Sequence, residues 1–294
     1  MVLSWIPLTD RAVVDITGED AASFLQGLIT NDIEKATPEQ TIFAALLAPQ
    51  GKFLFDFFIA KKADGYLLDT EAPRADELIK KLGMYKLRAK VNIARSDKKV
   101  VALLNESAHT TMGLSDKAGD TKTLGDSIVY ADPRWLPMGV RMITPAYATQ
   151  DILPVPTLEA GLENYERIRL LHGIPEGSKD AIIDRTIVLE TGYDELNGID
   201  YKKGCYVGQE VIARTTHRGV VRKKLFCISA DQNLPPLGTE IIAGDIPLGE
   251  MRSSCGHVGL GVIRIEEWQL AMNTGHVPTA GGVPLVITFP EWHI

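Results

Sequence analysis

Apolar residues recur along the chain with two periods, and each period predicts an element. A helical stripe of Ala21, Phe24, Leu25, Leu28 and Ile29 predicts a helix over Glu19–Thr30, with Thr17 and Asp20 placed as a capping box and Asn31-Asp32 ending it. Apolar runs predict strands at Ile42–Leu47, Phe53–Ala60 and Tyr66–Thr70. Pro49-Gln50-Gly51 separates the first two, and Ala63-Asp64-Gly65 makes a hairpin of the second and third. After Pro73 the stripe Leu78, Ile79, Leu82 and Tyr85 predicts a second helix, followed by strands at Val91–Ala94 and Val100–Leu104. Strands in runs broken by single helices predict an α+β arrangement, not alternating βαβ units.

Further along, Gly113–Ser127 reads as a surface excursion and Pro154-Val155-Pro156 as a linker. Thr157 is placed to cap a helix with Leu158, Leu162, Tyr165 and Ile168 on one face, stopped by Gly173 and Pro175. From Lys223 the texture changes to short apolar runs punctuated by Gly and Pro: Leu225–Ile228, Glu240–Ile242, His257–Ile265 and Leu285–Phe289. That spacing predicts a small all-β unit, a barrel, and sets the expected domains at 1–222 and 223–294, the first holding two interleaved α+β subdomains with the second of them at roughly 42–150.

Composition adds bounds. The 294 residues suit two or three packed units, and 45% hydrophobic with 23% charged residues suits folded cores. The longest apolar run, Phe53–Ala60, is interrupted by Asp56 and is far short of the ~20 residues of a membrane span, so none is expected. Met1–Arg11 has neither signal-peptide nor transit-peptide character, so a bacterial-type cytoplasm is expected, with an organelle after presequence removal as the alternative. Three cysteines, Cys205, Cys227 and Cys255, argue against a disulfide framework. A net charge of −7 disfavours nonspecific binding to nucleic acid or anionic membrane.

The richest segment for chemistry is Lys202-Lys203-Gly204-Cys205-Tyr206-Val207-Gly208-Gln209-Glu210. Two lysines would favour a thiolate, two glycines would admit a partner or ligand, and Gln209–Ala213 can open a helix. Against this stands a buried structural cysteine, and the residues alone leave the two readings even. Cys227 in an apolar strand and Cys255 in a small-residue loop read as structural; Cys255-Gly256-His257 supplies two metal-ligand types, too few for a site. Arg214, His217, Arg218, Arg222, Lys223 and Lys224 form a basic stretch that reads as a solvated face or as a contact for a phosphate, a polyglutamate tail or an acidic partner. Asp56, sharing a face with Leu54 and Phe58, reads equally as a proton-transfer carboxylate and as a hydrogen-bonded structural one. Neither a Gly-x-Ser-x-Gly elbow, a Walker loop, paired zinc cysteines nor a full dinucleotide fingerprint is present.

Lys203–Glu210, continuing through Val211-Ile212-Ala213-Arg214-Thr215 and Gly219–Leu225, resembles the YgfZ-type family, relatives of the glycine-cleavage aminomethyltransferase (T-protein). Phe24-Leu25-Gln26-Gly27, Thr30-Asn31-Asp32, Tyr85-Lys86-Leu87-Arg88 and Arg169–Gly177 carry the likeness further, nearest to the mitochondrial iron–sulfur assembly branch and its bacterial counterparts. The resemblance implies an aminomethyltransferase-like fold of three subdomains around a central cavity, and a role in maturing four-iron clusters alongside an A-type scaffold protein. It further implies client enzymes that include radical-SAM, tRNA-modifying ones, no direct nucleic-acid contact, a monomer, and a mitochondrial matrix location in a eukaryote. Cys205 would be the functional thiol and a transient ligand of iron or of a cluster. The motif residues would be Lys203, Gly204, Cys205, Tyr206, Gly208, Gln209 and Glu210. Tetrahydrofolate contacts would fall to Asn31, Asp56, Tyr85, Arg88, Arg169, Tyr206, Gln209, Glu210 and Arg214, with Asp56 in a catalytic role if the protein were a one-carbon transferase. Two departures weaken the folate reading: Phe55 replaces the first of the family's paired aspartates, and Leu171 stands where a glutamate would bind the pterin.

Overall fold

The computed structural model describes residues 2–219 and 221–293; the side chains of His217 and Arg218, expected in the basic stretch, lie outside the described residues, as does Val220 of the motif's continuation. The chain forms two compact units interleaved in sequence: Met1–Pro49, Leu54–Tyr165 and Leu196–Gln209 make one, and Gln50–Phe53, Glu166–Glu195 and Glu210–Ile294 the other. The expected boundary at 222/223 falls inside the second.

The first unit carries β1 (Leu3–Pro7), β2 (Arg11–Thr17), α1 (Ala21–Gln26), β3 (Ile42–Leu47), β4 (Phe53–Lys62), β5 (Gly65–Glu71), α2 (Ala75–Lys86) and β6 (Asn92–Arg95). It continues with β7 (Lys99–Leu104), α3 (Ala108–Thr111), β8 (Thr121–Leu124), β9 (Ser127–Ala131), β10 (Val140–Thr144) and β11 (Thr157–Glu159). These strands build a five-stranded sheet ordered β3-β4-β5-β2-β6 and a six-stranded sheet ordered β11-β1-β7-β10-β9-β8. Phe24 and Leu25 of α1 and Leu78 and Leu82 of α2 pack with β2–β5 in one core, while Leu3, Val101, Leu103 and Met142 lie in another.

Two expected helices are corrected. The first ends at Gln26; Thr17 closes β2, and the Asp20 carboxylate accepts from the Lys90 amide (2.7 Å) instead of capping the helix. Leu28 and Ile29 are still buried, but in the turn that follows, where Ile29 bridges to Leu46. The helix expected from Thr157 starts only at Leu162, because Thr157–Glu159 pairs in parallel with β1 and leaves Leu158 exposed. The strands at Ile42, Phe53 and Tyr66 and the helix after Pro73 form as the pattern predicts.

A buried ionic network ties the first unit together. The Asp69 carboxylate accepts from Arg11 (2.7 Å), Arg141 (2.7 Å) and Tyr130 (3.2 Å), and Arg141 also donates to Tyr165 (2.7 Å). Phe58 lies under the guanidiniums of Arg134 and Arg141, at 4.7 and 4.2 Å. Charges this deep remain because each is paired and hydrogen-bonded.

The second unit holds most of α4 (Leu162–Leu171), then α5 (Gly177–Asp180), α6 (Gln209–Arg218), β12 (Lys223–Ser229), β13 (Glu240–Ala243), β14 (Ile246–Cys255), β15 (Val258–Arg264), α7 (Ile265–Thr274), β16 (Pro278–Ala280), β17 (Val283–Pro284) and β18 (Val286–Thr288). Its sheet runs β17-β16-β13-β14-β15-β12-β18. The two end strands, β17 and β18, are separated in sequence only by Leu285, so the sheet curls nearly closed into the expected barrel. Phe226, Ile241, Met251 and Ile263 fill its core. Helix α7 was not legible from the apolar runs; Gly275, at φ 72, ends it.

Candidate functional site

The cysteine motif is fastened to the turn that follows α1. Thr30 Oγ1 donates to the Gly198 carbonyl (2.6 Å), Asn31 Nδ2 to the Asn197 carbonyl (2.8 Å), and the Asp200 amide to the Thr30 carbonyl (3.0 Å). Lys35 pairs with Asp200 at 2.8 Å. The strongest tie is Lys203. Its ammonium is buried and donates to three main-chain carbonyls, of Gln26 (2.8 Å), Ile29 (2.7 Å) and Asn31 (2.7 Å). The first is at the end of α1 and the other two lie in the turn that follows, and a cation with three donors suits them. Burial pulls the Lys203 amine down to about 8, with Asp32 and Asp200 opposing that shift. The Val207 amide adds a bond to the Gly27 carbonyl (3.2 Å), and the Lys203 ammonium lies 5.1 Å from the centre of the buried Tyr206 ring.

Between these anchors Cys205 is exposed. Lys203 therefore acts as a clamp directed into the fold, where the sequence suggested a cation offered beside the thiol; Lys202 remains exposed. The two glycines have different causes. Gly208 adopts φ 85, a left-handed conformation that only glycine enters freely. Gly204 has no such φ, and a Cβ built on it meets nothing within 4 Å. Nothing inside the fold demands a glycine there, so its bare backbone is available to whatever approaches the neighbouring thiol. Burial, then Tyr201 and Asp200, raise the Tyr206 phenol, which stays neutral as an anchor. Gln209 is half-buried, while Glu210 and Arg214 are exposed on α6.

Of the remaining expected folate residues, Asn31 and Arg169 are engaged within the chain. Both amide hydrogens of Asn31 are taken, by the Phe43 and Asn197 carbonyls, and its oxygen accepts from the Asp32 amide. Asn31 does line a cavity of about 520 Å³ beside this seam, with Phe43, Lys117 and Asn197. Arg169 is fully buried among Asp180 (2.8 Å), Glu166 (2.7 Å), Glu176 (3.5 Å) and the Ile174 carbonyl (3.1 Å). Leu171 is more than half exposed. Tyr85 is half-buried at the end of α2 and Arg88 exposed beyond it. Asp56 is 2% exposed in β4, whose residues Phe53–Ala60 are all buried, so neither face of this strand is open to water. As they stand, both amide hydrogens of Asn31 and the Arg169 guanidinium are engaged within the chain, which does not favour a pterin at these two positions.

The other cysteines are structural in placement. Cys227 is half-buried in β12, its thiol pushed up to about 11 by burial and then by Glu291. Cys255 ends β14, and His257 follows the turn, with Nδ1 against the Ala230 carbonyl (3.2 Å). In the basic stretch, Lys224 is paired with Glu195 at 2.8 Å, and Arg214, Arg222 and Lys223 are exposed.

Residues 222–293 match the CAF17 C-terminal beta-barrel domain. The chain is 32% identical over 310 residues to the mitochondrial iron–sulfur cluster assembly factor IBA57 of Mus musculus, covering 97% of this chain and 84% of that protein. This chain belongs to the IBA57 family of iron–sulfur cluster assembly factors. The human member is 32% identical over 311 residues with the same coverage, and the homologue from Coccidioides immitis 31% over 308 residues, covering 89% of this chain and 71% of its own length. The fold of this IBA57-family chain resembles the glycine cleavage system aminomethyltransferase T from Bartonella henselae, with a TM-score of 0.78 at 13% identity, over 100% of this chain and 86% of that one. That likeness bears out the expected aminomethyltransferase-like fold, and the fold alone.

Proposed function

We propose that this chain serves iron–sulfur cluster assembly through Cys205, as a thiolate that holds iron or a cluster in passage between partner proteins. The observation that carries the reading is the clamp: a buried ammonium fixes the loop from one side and Val207 from the other, leaving an exposed thiol next to an uncrowded glycine. The step is a ligand exchange. The thiol gives its proton to solvent, its sulfur bonds to an iron of the incoming cluster, and one ligand of that iron leaves; no electron changes hands. Among the described residues no group of three or more His, Cys, Asp or Glu side chains is placed to hold a metal, so the partner supplies the other ligands.

The partner fitting this role is an A-type scaffold protein, and the recipients are enzymes needing four-iron clusters, radical-SAM tRNA-modifying enzymes among them. Gln209, Glu210 and Arg214 follow the loop in the chain, on α6. In a eukaryote the work would take place in the mitochondrial matrix; the names of the relatives place them in mitochondria.

A one-carbon transferase reading draws on the buried Asp56 within a folate-related fold. The engagement of Arg169 and of the Asn31 amide hydrogens within the chain, and the aliphatic side chain of Leu171, count against it.

Anaerobic titration of the protein with an iron-loaded A-type scaffold, followed by visible absorption and circular dichroism, tests the proposal. Wild type should give a new cluster signal that Cys205→Ser lacks. An identical signal from both proteins would sink it.

A further inference from the structure

A second cavity, of about 580 Å³, lies wholly within the second unit. Its lining is unusual for a chain of net charge −7: Lys52, Arg185, Lys223, Arg252 and Arg264 all face it, against two aliphatic side chains, Ile182 and Val262. A cavity this poor in apolar wall does not favour a hydrophobic ligand.

The carboxylates at the same cavity answer these cations only in part. Asp180 is committed to Arg169 (2.8 Å) and to the amides of Glu176 (2.9 Å) and Ser253 (3.1 Å). Glu250 serves Arg252 at 3.2 Å. Glu190 accepts from the Ile187 amide (3.2 Å), and burial raises its carboxyl despite Lys52 and Lys223 nearby. Glu240 is exposed. Among the described residues, Lys52, Arg185 and Lys223 have no carboxylate within ion-pair distance, and Arg264 donates to the Pro247 carbonyl (2.7 Å).

At the base of this arrangement is Arg252, only 5% exposed. Its Nε and Nη2 reach the carbonyls of Asp180 (3.2 Å) and Lys179 (3.3 Å) at the long end of hydrogen-bond range. A guanidinium this buried, with loose neutral acceptors and one half-exposed glutamate, has capacity left for a second anionic partner.

We propose that this cavity binds a compact anion carrying two or more phosphate or carboxylate groups, gripped by Arg252 and Arg264 and closed over by Lys52, Arg185 and Lys223. The site is separate from the cysteine loop and does not depend on the role given to Cys205. With Asp180 committed to Arg169 and Glu250 to Arg252, the cations without an ion-pair partner among the described residues, Lys52, Arg185 and Lys223, leave the cavity locally favourable to an anion in an otherwise acidic protein.

The test is isothermal titration calorimetry of the full chain with pyrophosphate and, separately, citrate, at low and at physiological salt. Saturable binding that weakens with salt is expected, and the tighter of the two probes assigns phosphate or carboxylate as the group recognised. Lys52→Met combined with Lys223→Met should weaken it by about tenfold or more, with the thermal unfolding midpoint of the ligand-free protein unchanged. Should that variant be unstable, Arg185→Gln, at an exposed position, replaces it with the same expected direction. Silence from both probes at millimolar concentration, or equal affinity in the folded variants, overturns the proposal.

Discussion

Cys205 and Cys227 are the same residue type within one chain, and the structure gives them opposite conditions. Cys227 is half-buried in a barrel strand, where burial holds its thiol up to about 11, and its sulfur faces the Leu171 carbonyl at 3.9 Å. Cys205 stands exposed on a loop whose neighbours on either side are fixed: Lys203 by three carbonyls and Val207 by one. The comparison teaches that an accessible cysteine is made by its anchors. A strand places its cysteine by packing, which removes it from partners, whereas the loop places its cysteine by tying down everything except the cysteine.

The largest expected break in this comparison is functional. Cys205→Ser should lower cluster transfer from the scaffold by about a hundredfold or more, while Cys227→Ser retains transfer; a time course of client activation measures both. Alkylation by iodoacetamide comes next. At pH 8 a thiol at about 11 is ionised in roughly one molecule per thousand. Cys227, half-buried and scarcely ionised, should therefore label more slowly than the exposed Cys205, its rate climbing about tenfold per pH unit up to about 11, as read by peptide mass spectrometry of the folded protein.

The clamp itself sharpens the contrast. Lys203→Met leaves three carbonyls without their donor and should cost about 2 kcal/mol in urea unfolding. Its pH dependence has a definite sign. The amine is at about 8 in the fold, below its ordinary 10.5, so between these values the unfolded chain binds the extra proton. Wild type should gain stability relative to Lys203→Met as pH rises through that window, and lose the gain as pH falls through 8. A neutral amine still donates to two carbonyls, so the loop stays attached.

The smallest effect separates the two glycines. Gly208→Ala, at φ 85, should cost about 1 kcal/mol. Gly204→Ala should leave stability within about 0.5 kcal/mol while weakening the scaffold complex in the same titration, since its added methyl group meets only the partner.

The strands at Ile42–Leu47 and Phe53–Ala60, the helix over Leu78 and Leu82, and the barrel after Lys223 were legible because their apolar periods are long and bounded by turn residues. The first helix was overextended because Leu28 and Ile29 keep the helical spacing yet are buried by a turn, a tertiary choice that periodicity does not carry. Leu158 misled for the opposite reason, since an exposed leucine in a short edge strand imitates a helical face. Cys205 stood out through its neighbours, but the direction of Lys203 did not, because its acceptors are backbone atoms and leave no mark on side-chain pattern. The cavity cations Lys52 and Arg185 are isolated in sequence and converge only through the fold. The expected folate residue Arg169 shows the complementary limit: a residue type suited to a ligand can be fully occupied by its own chain.

The Lys203 clamp also has a bearing on how the protein is made. Its acceptors lie 172 to 177 residues earlier in the chain. Closing so long a loop is a late event in folding, and during synthesis it waits until the segment around residue 203 has left the ribosome. The cysteine loop thus takes its shape only once the N-terminal turn has formed and waits to receive it. A nascent or truncated chain would carry the same thiol without its mounting, and the geometry offered to a cluster-bearing partner becomes a certificate that both ends of the first unit have been completed.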